Sequence, residues 1–278
     1  MNNTFRTDMA DELRRRHAAA LPGVRCSEEK LFGLPVCTVE ILDAQGEAAL
    51  GKPQGVYYTL RLPHWFDRGA EDFENAVRAL AELLRRCLPD RREEVLVAAL
   101  GNPDITPDAL GSLAAGAVLV TRHLKAREPE RFSGFCSLSL CRPGVLGTSG
   151  IESAEQIAML CQTLRPQLVV AVDALAGSEA ELLCRTVQVS GTGISPGSGV
   201  GNDRKELSAA TLGVPVVSVG IPTVIDAAAL GVQGAERMFV TPRDIDSLVR
   251  AGGRLIGYAL DLALHPGIDI GDIDALLG

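Results

Sequence analysis

The chain has 278 residues, of which 46% are hydrophobic and only 4% aromatic, so aliphatic side chains must fill a large core. Its formal net charge of −8 argues against direct binding to nucleic acid, which requires a basic surface. The polar start predicts no signal peptide, no apolar run is long enough to span a membrane, and seven cysteines without a CxxC pair favour reduced thiols in the cytoplasm.

Strands and helices are predicted to alternate along the first half of the chain. A short helix over 8–20 precedes strands over 36–42 and 56–62. A helix over 68–87 follows, with its apolar residues on one face. The continuous apolar run 94–100 is typical of a buried parallel strand.

The second half of the chain continues this alternation. Helices are predicted to begin near Thr106, Glu152 and Thr241. Buried strands are predicted over 167–172 and 214–219.

This order predicts an α/β fold: a three-layer, mainly parallel sheet flanked by helices, in one domain over residues 1–278. Segments 33–62 and 126–150 are interpreted as small β insertions in the core sheet. Sites in such sheets form beyond the carboxyl ends of the strands. Three loops meet that description, those that follow Leu100, Val172 and Val189.

The most distinctive stretch of the sequence is a glycine-rich loop after a predicted strand. Five glycines lie between Gly191 and Gly201, and Pro196 restricts the loop among them. This composition favours a loop that shapes a site. One interpretation is a non-catalytic module that binds a small molecule or a phosphate, although no Walker-type phosphate-binding motif is present.

Two aspartates follow predicted central strands. Asp173 comes directly after a buried apolar run, where partial desolvation suits a carboxyl group to acid–base chemistry; a hydrogen bond to a neighbouring loop is an equally good explanation. Asp108 lies in the first turn of a predicted helix, where the helix dipole favours an acid without any catalytic role. If both face one cleft, they form a pair that can share a proton and activate water.

Histidine and arginine give weaker signals. His17, His64 and His265 are scattered without metal-ligand spacing, so neither a metal nor another cofactor is predicted. His123 is more typical of a packed residue than of a ligand, and Arg122 beside it has the chemistry to pair with a carboxylate.

Taken together, the motifs of the chain resemble the germination protease family of spore-forming bacteria. The matching pieces run almost end to end and keep their order: RTD (6–8), GKP (51–53), ALGNPDITPDALGS (99–112), TRHL (121–124), PGVLGTSGIES (143–153), VVAVDALA (169–176), TGISPGSGVGNDRKELS (192–208), TLGVPVVSVGIPTVIDA (211–227) and a final helix that ends in LALHPGID (262–269). The resemblance implies an endopeptidase that degrades small acid-soluble spore proteins, which coat DNA in the dormant spore, in the cytoplasm of the spore core. It also implies a homotetramer.

The resemblance assigns the family's two functional aspartates to Asp108 and Asp173, which reverses the structural interpretation of Asp108. It implies a fold like that of the hydrogenase maturation peptidases, which are metal-dependent. A metal-dependent maturation peptidase is therefore an alternative, but because no matching histidine is present, an unassisted two-aspartate mechanism is expected. Oxyanion or substrate-positioning groups are expected from the 192–202 loop or its neighbours: Gly193, Gly199, Asn202, Arg122 and His123. Asn202, Asp203 and Arg204, at the end of that loop, are the residues there to test next.

Family members are made with a propeptide that is removed by self-cleavage. The family's cleaved sequences resemble Thr-Glu, then an apolar residue, alanine, a small polar residue and Glu, and residues Thr7–Glu12 (TDMADE) have that shape. The resemblance therefore predicts cleavage between Asp8 and Met9 and a short propeptide over residues 1–8.

Overall fold

The structure is a computed structural model that describes residues 6–63, 70–201, 204–232, 235 and 238–277. Its helices are α1 (Ala10–Arg15), α2 (Ala44–Leu50), α3 (Ala70–Cys87), α4 (Leu110–Ala115), α5 (Arg122–Arg127), α6 (Leu146–Ser149), α7 (Ser153–Leu164), α8 (Ala209–Leu212), α9 (Ile245–Leu264) and α10 (Ile270–Leu277). Its strands are β1 (Val24–Leu31), β2 (Leu34–Ile41), β3 (Gly55–Arg61), β4 (Glu94–Ala99), β5 (Ser137–Cys141), β6 (Leu168–Gly177), β7 (Thr186–Ser190), β8 (Val216–Asp226) and β9 (Phe239–Val240).

The described strands form one sheet in the order β1-β2-β3-β7-β8-β6-β4-β5, with β9 paired to β8. Parallel pairing joins the neighbours β8, β6, β4 and β5, whereas the other pairs are antiparallel. The predicted α/β class is thus confirmed, and its parallel part carries both candidate aspartates. The segments 33–62 and 126–150, interpreted as β insertions in the core sheet, supply β2, β3 and β5 to this sheet.

Helices cover both faces of the sheet, so the predicted three layers are present. Alternating residues of each strand point to opposite faces. Valines of β4, β6, β7 and β8 pack on one face against α3, α4 and α9. On the other face Leu96 and Ala171 pack against Ile157 of α7, and α1 and α2 cover β2 and β3. Within the described residues, no helix combines the length and apolar character that crossing a membrane requires.

Three strands differ clearly from their predictions, among them β8, which was predicted to end at 219 and continues to Asp226. Strand β1 was not predicted, because its central residues are polar and exposed. In the described part of the sheet it pairs only with β2, in antiparallel orientation. Strand β6 is longer than predicted and continues to Gly177 along β8, whereas its pairing with β4 stops at Val172.

A small polar cluster is buried where α9 ends against the start of β5. Asp261 and His265 are 0% and 1% exposed, and the Asp261 carboxylate accepts the Leu119 N–H at 3.0 Å. Nδ1 of His265 lies 3.5 Å from Sγ of Cys136. Burial raises the pKa of Asp261 to about 8 and lowers the pKa of His265 to about 4. Both groups are therefore uncharged at neutral pH, although Nε2 of His265 lies 3.9 Å from Oδ1 of Asp261.

The Asp261 carboxyl makes stability depend on pH. Its folded pKa of about 8 lies above its ordinary value of 3.8, so its contribution is lost as pH rises toward 8. Between pH 6 and pH 8 this loss is about 2 kcal/mol of the free energy of unfolding. We expect Asp261→Asn to remove that part of the decline, as measured by urea unfolding at both pH values. Equal declines in the variant and the parent protein would contradict this account.

Candidate active site

Strand β6 extends beyond the end of its neighbour β4, and Asp173 is the first residue of this extension. Ala99, the last residue of β4, pairs with Val172. Asp173 is therefore inside β6, not after it as predicted, and its side chain is buried with 4% exposure. Its partner on β8 is Gly220, which has no side chain to cover it.

The loop after β4 brings Asp108 to the same edge of the sheet. Thr106–Asp108 forms a 3-10 turn, and α4 begins only at Leu110, so Asp108 does not lie in the first turn of an α-helix as predicted. The Asn102 N–H donates to Oδ2 of Asp108 at 2.8 Å, which holds the half-buried carboxylate in place.

Asp108 and Asp173 line one cavity of about 430 Å³, together with Asp8 and Arg204. Burial raises the pKa of Asp108, while the Asn102 N–H and the Arg204 charge lower it. The pKa of Asp173 is raised well above its ordinary value, first by burial and then by the negative charges of Asp108 and Asp8. These opposing influences favour one ionised and one protonated carboxyl group, the state needed for acid–base catalysis on a water molecule.

The N-terminal segment occupies this cleft, alongside the part of β6 that extends beyond β4. The Asp8 N–H donates to the Ala176 carbonyl at 2.9 Å, and the Ala176 N–H donates to Oδ2 of Asp8, also at 2.9 Å. The Ser198 hydroxyl donates to Oδ1 of Asp8 at 2.7 Å. Each carboxylate oxygen of Asp8 thus has its own donor from the protein.

The residues on either side of Asp8 are also held. Met9 is fully buried. The Glu12 carboxylate accepts the Ser178 N–H at 2.7 Å and the Thr7 hydroxyl at 2.5 Å. The two residues of the predicted cleavage bond, Asp8 and Met9, therefore lie in the same cleft as both aspartates or directly next to it.

Gln188 contacts the backbone on both sides of the predicted cleavage bond. Its Nε2 donates to the Asp8 carbonyl oxygen at 3.0 Å, and its Oε1 accepts the Ala10 N–H at 2.7 Å. Sequence patterns did not single out Gln188. Its only distinctive feature in the sequence is an amide side chain at an alternate position of the apolar strand β7.

The glycine loop forms a second wall of the cleft. Gly193 has a φ of +87° and lies where a side chain would collide with the Leu207 backbone. A Cβ on Gly199 would overlap the Asp8 carboxylate and lie 2.6 Å from the Ala176 Cβ, so only glycine permits this packing. Asn202 and Asp203 lie outside the described residues.

Arg122 and His123 are not brought to this cleft. Both are exposed on α5. The residue before them, Thr121, donates its hydroxyl to the Cys136 carbonyl at 2.6 Å, just ahead of β5 and so at the amino end of the parallel strands. The two aspartates lie at the opposite, carboxyl end.

The family described as germination protease matches residues 4–235, which include both aspartates, the N-terminal segment from Thr4 and the glycine loop. The chain belongs to the germination protease family. It is therefore a protease, and the family resemblance found in its sequence is confirmed.

Similar germination proteases match most or nearly all of the chain. The protein of Caldanaerobacter subterraneus subsp. tengcongensis is 35% identical, with 98% of each chain covered. That of Clostridium tetani is also 35% identical, with 99% of each covered. The protein of Bacillus pumilus is 42% identical over 74% of this chain and 57% of its own length.

A search of solved structures finds the NiFe hydrogenase maturation protease HycI of Thermococcus kodakarensis. It is 18% identical, with a TM-score of 0.35, and covers 64% of this chain and 99% of its own. A likeness this distant carries no structural or functional conclusion. Among the residues that the structure describes, no group of three or more His, Cys, Asp or Glu side chains has metal-binding geometry.

The Gly199 contact predicts how the N-terminal segment is held in this germination protease. The added methyl group of Gly199→Ala would displace the Asp8 carboxylate from its hydrogen-bond donors, so the Asp8 N–H should exchange with deuterium about tenfold faster. Hydrogen–deuterium exchange on protein with an intact N-terminus measures this.

Gly191→Ala is the matched control, because a Cβ there meets nothing within 4 Å and the residue lies in the same loop. Equal exchange in the two variants would show that Gly199 does not hold the segment.

Proposed function

We propose that this chain is an endopeptidase of spore germination that hydrolyses peptide bonds with a water molecule activated between Asp108 and Asp173. The observation that carries the proposal is that both carboxyl groups line one cleft together with Asp8, a residue of the chain's own predicted cleavage site. The raised pKa values of Asp108 and Asp173 support an acid–base pair.

The surroundings of the two carboxyl groups support different roles for them. Both carboxyl groups accept a backbone N–H, but Asp108 is only half-buried and has the weaker rise in pKa, which suits it to act as the ionised general base. Asp173 is almost fully buried beside two other carboxylates, which keeps its proton in place and suits it to act as the general acid.

In the proposed step, the oxygen of the water molecule forms a bond with the carbonyl carbon of the substrate while Asp108 accepts one of its protons. The carbonyl π electrons move to the oxygen and give a tetrahedral oxyanion. When the carbon–nitrogen bond breaks, Asp173 gives its proton to the leaving nitrogen. The products are a new carboxyl group and a new amine, and no metal is required.

The hydrogen-bond donors around the Asp8 carboxylate support cleavage after an acidic residue. A carboxylate at this position has a hydroxyl donor from Ser198 and an N–H donor from Ala176. Lys52 lines the adjoining cavity of about 150 Å³, together with Asp8 and Ser198. We take the substrates to be the small acid-soluble proteins of the spore core, which the family resemblance implies. The homotetramer stays a prediction of that resemblance.

We further propose that the chain is made as a zymogen with residues 1–8 as its propeptide. The hydrogen bonds of Asp8 to Ala176 and Ser198 fill the place where a substrate would bind. Cleavage of the Asp8–Met9 bond would release this segment.

Removing either carboxyl group should stop cleavage. We expect Asp108→Asn and Asp173→Asn to lower the rate at least about a hundredfold, because each role contributes roughly 10²–10⁴-fold. The assay is mass spectrometry of a purified acid-soluble spore protein incubated with the enzyme, with and without a chelator. The same spectra show whether the enzyme's own N-terminus moves to Met9.

Asp104→Asn is the matched control, because Asp104 is exposed in the same loop as Asp108. Robust cleavage by either Asp108→Asn or Asp173→Asn would refute the two-aspartate mechanism. Loss of activity on adding the chelator would favour the metal-dependent alternative.

The pH profile should respond to Arg204. Activity should fall at low pH as Asp108 takes up a proton and at high pH as Asp173 loses one. The Arg204 charge lowers the pKa of both groups, so Arg204→Gln should move both limbs of the kcat/KM profile to higher pH. Arg122→Gln removes an exposed charge outside the cleft and should leave the profile in place. A shift of the Arg204→Gln profile to lower pH, or no shift, would contradict these assignments.

A further inference from the structure

Gln188 lies on the same sheet face as Asp173, two strands away and in the same row. Asp173 pairs with Gly220 on β8, and Gly220 pairs with Gln188 on β7. Side chains of directly paired residues point to the same face, and neighbouring strands are about 4.8 Å apart. The Cα atoms of Asp173 and Gln188 are therefore roughly 10 Å apart. Gly220, which lies between them, has no side chain to fill this space.

The N-terminal segment connects these two sides. Asp8 lines the cavity that holds Asp173 and also the adjoining cavity that holds Gln188. Its carbonyl oxygen points to the Gln188 side, where it accepts the Nε2 hydrogen bond at 3.0 Å. The Gln188 side chain is 8% exposed, so little water competes for this bond.

We infer that Gln188 is a further catalytic residue, whose Nε2–H stabilises the oxyanion formed at the carbonyl of the cleaved bond. The inference rests on the proposed function, since it takes Asp8–Met9 as a bond that the enzyme cleaves. As the carbonyl oxygen becomes negative, a donor already in place strengthens its hydrogen bond without reorganising. The second contact, from the Ala10 N–H to Oε1, orients the amide so that its N–H group faces the carbonyl.

Gln188 fills the role for which the sequence analysis expected Arg122, His123 or the glycine loop. An amide suits this position, because a second positive charge in addition to Arg204 would lower the pKa of Asp173 further and weaken its hold on the proton that the mechanism needs. A neutral donor stabilises the oxyanion without that effect.

The test uses the processed enzyme and a peptide that contains Thr-Asp-Met-Ala-Asp-Glu, the sequence of residues 7–12. Gln188→Met keeps the size of the side chain but has no donor. We expect its kcat to fall about 10²–10³-fold, the usual effect of losing one oxyanion donor, with a much smaller change in KM. Thr59→Val is the matched control, since Thr59 is the next residue in the row and its buried hydroxyl has no hydrogen-bond partner in the described part of the chain.

Gln188→Glu provides a second, independent readout. It keeps the shape and the acceptor for the Ala10 N–H, and it regains a donor when its carboxyl group is protonated. The ratio of its kcat to that of the parent enzyme should therefore rise as pH falls. This signature still decides the question if Gln188→Met does not fold.

The outcomes separate this inference from the proposed function. If Gln188→Met changes only KM, or if the Gln188→Glu ratio does not depend on pH, then Gln188 only anchors the peptide and the inference is wrong. If Asp173→Asn, assayed in parallel, keeps its activity, the two-aspartate mechanism itself fails, whatever the Gln188 variants do.

Discussion

The site depends on a difference in length between two neighbouring strands. Strand β4 stops at Ala99, but β6 runs on to Gly177 with β8 as its partner. Over residues 173–177 the edge of a central strand is therefore free of a strand neighbour within the described sheet. Unpaired backbone at a strand edge binds another segment readily. The N-terminal segment uses this edge through the Asp8 N–H bond to the Ala176 carbonyl.

The same difference in length also determines which charged groups lie near Asp173. Because β4 ends one residue before Asp173, the loop that follows it can turn Asp108 back over the end of the sheet. A third carboxylate, Asp8, lines the same cleft. Burial and the negative charges of Asp108 and Asp8 raise the pKa of Asp173, so Asp173 holds a proton that an isolated carboxyl group would lose. Arg204 limits the effect, since its charge lowers the pKa of both Asp108 and Asp173.

Patterns in the sequence predicted the parts of the fold that rest on local order. The apolar runs of β4 and β6 have the length and composition of buried strands, and they place Asp108 in the loop after β4 and Asp173 near the end of its apolar run, although Asp173 proves to lie within β6. Strand β1 has no such pattern, because its polar, exposed residues carry little trace of burial. The role of Asp108 came from family resemblance, since an acid near a helix start has a sufficient local explanation.

The remaining features depend on register across the sheet, which a single sequence does not encode. Gln188 meets Asp8 only because β7, β8 and β6 align Gln188, Gly220 and Asp173 in one row. Arg122 and His123 follow a glycine-containing helix in sequence, but α5 places them at the amino end of the parallel strands. Proximity along the chain therefore did not predict which residues lie together in the cleft.

The free edge of β6 has a consequence for the shape of what it binds. It offers a backbone acceptor and a backbone donor at Ala176, and Gln188 offers one of each from the other side. Asp8 meets these groups ahead of α1, Met9 has an extended backbone, and the Ala10 N–H that Gln188 accepts is the first N–H of α1, which has no partner within the helix. The interior of a helix has no such free N–H or C=O groups. We therefore expect this cleft to take chain that is not helical up to the cleaved bond.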